Sequence, residues 1–152
     1  MCTSFMGELM TATHNFGTAP IRAASTADTF RGALYLASAT IDASTTVYSG
    51  TGEVSGAGYS AGGVVVTNAT PPTATNASTT AGVAYWTPSA SLTYTSVTLT
   101  TAFDAVLIYN ASQSNKAVSV HTFGSQTITA GTFTLTMPAN TTSTALLRLA
   151  TT

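Results

Sequence analysis

From Thr29 onward the chain repeats apolar and polar positions with a period of two. In TFRGALYLA (29–37), Phe30, Leu34 and Leu36 fall on one face and Arg31, Ala33 and Tyr35 on the other. In GTFTLTMP (131–138), Phe133, Leu135 and Met137 alternate with Thr132, Thr134 and Thr136. Successive side chains of a strand point to opposite faces, so each pattern predicts a half-buried strand. FDAVLIYN (103–110) is apolar on both faces from Ala105 to Tyr109, which predicts a central strand covered on both sides. It runs into the turn chemistry of NASQSNK. VVVTN, KAVSVHTF, SQTITAG and TALLRLA are further candidate strands. In SLTYTSVTLT the parity slips, with Leu92 and Tyr94 on one face and Val97 and Leu99 on the other, which predicts a bulge near Ser96.

A helical pattern appears only at the start. Phe5, Met6, Leu9 and Met10 line one helix face, with Thr3 or Ser4 placed to cap it. Gly7 weakens so short a helix, which therefore needs a surface to dock on. Residues 17–28 read as a loop or extended arm, and 68–82, which include Pro71 and Pro72 and little apolar bulk, as a long exposed loop. The expectation is one all-β domain over 1–152, an antiparallel β-sandwich or jelly roll, with 1–28 as an N-terminal helix or arm.

The stretch GEVSGAGYSAGG (52–63) holds five glycines. Gly56, Gly58 and Gly62 mimic a dinucleotide fingerprint, but VVVT follows where a helix should begin, and Val64 stands where a phosphate loop needs lysine. The stretch reads instead as a shaped loop that lets chain pass closely against chain, with Tyr59 as its anchor.

Composition narrows the partners. Charged residues are 6% of the chain and the net charge is −1, while 33 Thr and 16 Ser supply the polarity. So little charge leaves self-association unopposed, and four scattered cations form no track for nucleic acid or an anionic membrane. No segment has the sustained apolar run of a membrane span, and the N-terminal residues lack the pattern of a secretory signal. Cys2 is the sole cysteine, so no internal disulfide is expected, and four Asn-x-Ser/Thr sequons read as chance in a Thr-rich chain.

Candidate chemistry is sparse. His14 and His121 lack nearby companions with metal-ligand spacing, and no metal or cofactor is expected. His121 reads as a surface or interface residue. Glu8, Asp28, Asp42, Glu53 and Asp104 are far apart in sequence; folding could pair two of them as in a glycosidase, but the chain has few polar groups to orient a substrate. No Gly-x-Ser-x-Gly elbow is present, and an enzyme is not expected. Tyr85 and Trp86 allow either a sugar-stacking platform or core packing, and the Thr-x-Thr runs lack the repeat of an ice-binding array.

Taken in order, SFMGELMTATHNF, FRGALYLASATIDASTTVYS, TGEVSGAGYSAGG, AVLIYNAS and NKAVSV resemble a family of small virion structural proteins of tailed bacteriophages, over most of the chain from Ser4 to about Leu149. Met6 departs from a pattern in which lysine often follows Ser-Phe, and makes the arm more apolar. The resemblance implies a decoration or cement protein that binds across capsomer junctions, with the major capsid protein, other virion proteins and its own copies, as dimer or trimer, for partners. It would assemble in the bacterial cytoplasm and sit on the capsid surface. A tail, neck or fibre component is the alternative, and a carbohydrate-binding β-sandwich another. No catalytic residue is carried over. Phe5, Leu9, Met10 and Phe16 are the candidate interface residues, as an arm on a neighbour or as a helix closing their own sandwich.

Overall fold

The computed structural model describes residues 1–2, 5, 9, 13–14, 16, 27–67, 72–75 and 82–150. Seven strands run in chain order: β1 Phe30–Leu36, β2 Val64–Val65, β3 Thr73–Ala74, β4 Val83–Trp86, β5 Leu92–Asn110, β6 Lys116–Leu135 and β7 Leu147–Ala150. They form two antiparallel sheets, one ordered β2-β1-β5-β6 and one ordered β3-β4-β7. The class is all-β, as the period of two requires.

The centre of the larger sheet is the doubly apolar segment. Ala105 to Asn110 of β5 are buried without a break, between β1 on one side and β6 on the other. Phe103, Val106, Leu107 and Ile108 are fully buried, and Phe30 and Leu34 of β1 and Val118 of β6 belong to the same core cluster. Burying each of these side chains contributes about 1.5–3 kcal/mol, which offsets the entropy of ordering so long a strand.

Two joins differ from the sequence reading. SLTYTSVTLT and FDAVLIYN are a single strand, and KAVSVHTF, SQTITAG and GTFTLTMP are another, so β5 and β6 make one hairpin of 19 and 20 residues. Gly124 and Gly131 look like breaks along the chain, yet the ladder absorbs them as bulges: the register steps from Ala105 opposite Thr122 to Phe103 opposite Gln126. The expected bulge near Ser96 is present, with Ser96 at φ 54° and the register shifting between Tyr94 and Val97. At the other end, Ser114 and Asn115 take positive φ of 52° and 57°, and close the turn between Asn110 and Lys116.

Of the expected N-terminal helix, the described residues Phe5 and Leu9 are helical, and the residues between them lie outside the described residues. Much of it falls outside the described residues, Met10 included. Within the stretch read as a loop over 68–82, Thr73–Ala74 pair with β4, and most of the remainder lies outside the described residues. No helix among the described residues is long and apolar enough to cross a membrane.

Candidate functional site

Two constellations gather the chain's unusual polar and aromatic groups. The first surrounds the glycine loop. After β1 the chain returns so that Val54 N–H donates to the Leu34 carbonyl (3.0 Å) and Leu36 N–H to the Gly52 carbonyl (2.9 Å), which places Glu53 opposite Tyr35. Its carboxylate accepts three hydrogen bonds: from Tyr48 Oη (2.6 Å) on Oε2, and from Tyr59 Oη (2.7 Å) and Gly62 N–H (2.7 Å) on Oε1. Tyr59 Oη in turn accepts from Leu34 N–H (3.0 Å), and its ring stacks on Tyr94 at 6.0 Å. Tyrosine 59 is thus the anchor expected of it.

The carbonyl side of the same loop is held as firmly. Arg31 donates through Nε to Gly62 O (3.1 Å) and through a terminal nitrogen to Gly63 O, while Tyr109 Oη donates to Gly62 O (3.0 Å). Tyr109 stacks on Tyr48 at 4.6 Å. A Cβ added at Gly58 would overlap the Ser96 carbonyl oxygen, and Gly58 sits at φ 78°, so the loop approaches β5 as only glycine allows. Burial pushes the Tyr35 hydroxyl up to about 12, and it also raises Tyr48, Tyr59, Tyr94 and Tyr109, with the Glu53 charge adding to each. These hydroxyls therefore stay protonated and act as donors. The arrangement is a brace that holds a loop, with its carboxylate oxygens already occupied by donors.

The second constellation is N-terminal. Phe5, His14 and Phe16 pack against Phe30 of β1 and Trp86 of β4: Phe16 stacks on Phe30 at 4.5 Å and meets Trp86 edge-on at 4.8 Å, and Phe5 lies 4.8 Å from His14. This aromatic group links the two sheets. Beneath it runs a buried polar chain. Asn110, fully buried, donates through Nδ2 to Asp28 Oδ2 (2.8 Å) and lies 3.0 Å from His14 Nδ1, and Gln113 Nε2 donates to Asp28 Oδ1 (3.0 Å). Cys2 N–H donates to the Val118 carbonyl (3.0 Å).

Of the four interface candidates, Phe5 and Phe16 are buried against their own chain, at 2% and 6% exposure. Leu9 is half-buried and lines an apolar groove of about 70 Å³ with Met1, Tyr85 and Leu149, and Met10 lies outside the described residues. Trp86 is buried at 2% exposure, so its indole offers no stacking platform for a sugar. Among the described carboxylates, Asp28 and Glu53 belong to different constellations, and Asp42 is exposed, its pKa lowered by hydrogen bonds from Ser44; Glu8 lies outside the described residues. No group of three or more metal-ligating side chains occurs among the described residues. His121 is half-buried, hydrogen-bonded to Ser119 Oγ (2.9 Å), and burial pushes its pKa down to about 4. The Asn110 network was not legible in the sequence, because Asn110 lies 96 residues from His14 and 82 from Asp28.

The chain matches none of the family models, curated proteins or solved structures with which it was compared.

Proposed function

We propose that this chain is a structural subunit of a tailed-phage virion, a decoration or cement protein that reinforces the head by binding across capsomer junctions. The observation that carries the reading is β6. It is the 20-residue edge strand of the larger sheet, met at its first residues by Cys2, Thr46 and Val47, and its only charged residue is Lys116, at its first position. From Thr122 to Leu135 it exposes mostly threonine, serine and glutamine. Exposed edges in monomers are usually blunted by lysine or proline. Here bulges are the protection, and the uncharged surface suits contact with neighbouring subunits.

In this reading the two sheets are the layers of a sandwich joined at Phe30, Phe16 and Trp86, and β6 faces a second copy or the major capsid protein. Each contact is modest, and symmetry with several attachment points multiplies the avidity. Mass spectrometry of purified particles from the host carrying the gene tests it. Hundreds of copies per particle support the head, a few or tens place the chain in the tail, neck or fibre, and absence from particles overturns the proposal.

A further inference from the structure

We propose that the open side of β6, centred on Phe123 and Phe133, packs against the same side of a second copy of this chain across a two-fold axis. The proposal rests on the reading of β6 as an interface strand and names its occupant.

The geometry begins with a bend. Phe123 and Phe133 both lie on β6, and a straight strand would hold them roughly 33 Å apart, at about 3.3 Å per residue. Their rings are 5.4 Å apart. β5 folds in the same way: Tyr94 Oη donates to the Gly32 carbonyl (2.8 Å), although Gly32 pairs with Ile108 much farther along β5. The β5–β6 hairpin therefore doubles back on itself. The bend falls where the ladder shifts register and where Ser96 and Ala130 take positive φ of 54° and 47°. Between the two limbs sit the rings of Phe103, Phe123 and Phe133, with Phe103 perpendicular to Phe133 at 5.1 Å.

The ring cluster is closed on the β5 side and open on the β6 side. Phe103, on the inner strand, is fully buried, whereas Phe123 and Phe133, on the edge strand, are only half-buried, as are Ile128 and Leu135. Cys2 and Thr46 bond to the β6 backbone at Val118 and Ala117. From Ser119 to Leu135 no strand or loop among the described residues pairs with its outer side. Around the half-buried rings Thr122, Thr127, Thr129 and Thr132 are exposed. An apolar centre inside a polar rim is the makeup of a subunit contact.

The charge pattern selects the occupant. Across a two-fold axis a patch meets itself, so every charge it carries meets a like charge. Between Ala117 and Leu135 no residue is Asp, Glu, Lys or Arg, and Asp104, the only such residue of β5, lies one strand in from the edge. The net charge of the whole chain, −1, is too small to keep copies apart. Such a patch is compatible with itself, and to a charged partner surface it offers no counter-charge.

Sedimentation equilibrium of the full chain at neutral pH, from about 1 to about 100 µM, should show a monomer–dimer equilibrium. Two triple variants test the contact: Thr127→Lys, Thr129→Lys and Thr132→Lys together, and the same three positions changed to Asp. Each should weaken the dimer about tenfold or more, with an unchanged far-UV circular dichroism spectrum, and mixing the two should restore association as a heterodimer. Thr51→Lys, on the segment that meets β1 through Glu53 on the side away from β6, should leave the dimer unchanged. If neither triple variant folds, hydrogen exchange of the wild type serves: amides within 119–135 must slow as the concentration rises through the dimer range. A chain that stays monomeric at about 100 µM, a trimer, a dimer indifferent to both charge sets, or exchange in 119–135 that ignores concentration overturns the proposal. The virion reading fails separately, by absence of the chain from particles.

Discussion

Gly63 lies against Gly32 of β1 so closely that a Cβ added at Gly63 would overlap the Gly32 carbonyl oxygen, and Gly63 itself sits at φ 69°. Gly63→Ala thus meets a backbone clash and a strained conformation together. A loss of at least about 3 kcal/mol is expected, read as a fall in the urea midpoint. Gly124→Ala is the control: a Cβ there meets nothing within 4 Å, and the change should stay within about 0.5 kcal/mol.

Glu53 binds Tyr48, Tyr59 and the Gly62 amide at once. Glu53→Ala strands three donors in a part-buried site and should cost about 2–4 kcal/mol. Tyr59→Phe removes the donor to Glu53 and the acceptor for Leu34 N–H and should cost about 1–3 kcal/mol. The double variant should lose less than the sum of the two, because they share one hydrogen bond, and equilibrium unfolding of all four proteins measures that coupling.

Tyrosine ionisation sets an alkaline limit. Tyr35 is raised from 10.0 to about 12, mainly by burial, so the folded state prefers the neutral phenol. Its contribution is complete below about pH 10 and is lost as pH rises through about 12, a change of no more than about 2 kcal/mol from this residue. Tyr48, Tyr59, Tyr94 and Tyr109 are shifted the same way. Absorbance at about 295 nm should show these phenols ionising late and together with loss of the strand signal. Gradual ionisation of all of them near pH 10 in a folded protein would contradict the brace.

Phe16 touches both sheets through Phe30 and Trp86. Phe16→Ala should cost about 3–5 kcal/mol and raise acrylamide quenching of Trp86, the single tryptophan. Deletion of residues 1–16 should uncover the same rings and yield a poorly soluble chain. A deleted form that stays folded and soluble, with Trp86 still shielded, would mean that these residues act as an arm for a neighbour.

Much of the architecture was legible because its cause is local. The alternation in GTFTLTMP and the doubly apolar run at Ala105–Tyr109 state which faces are buried, since a strand has only two. The parity slip at Ser96 marks its bulge for the same reason, and the glycines of 52–63 announce close backbone approach because no other residue tolerates it. What a side chain touches, whether across 80 positions or a few residues away around a folded loop, leaves no such pattern in the sequence. Tertiary structure alone decided that Asn110 would join His14 to Asp28, that Glu53 would gather Tyr48, Tyr59 and Gly62, and that Phe5 and Phe16 would pack against their own sheets. It also decided that Gly124 and Gly131 would lie inside a strand, because a partner ladder can absorb as bulges what a single strand shows as breaks. Hydrogen-bond partners and ring contacts depend on the path of the whole chain, whereas burial of a face depends on its own few residues.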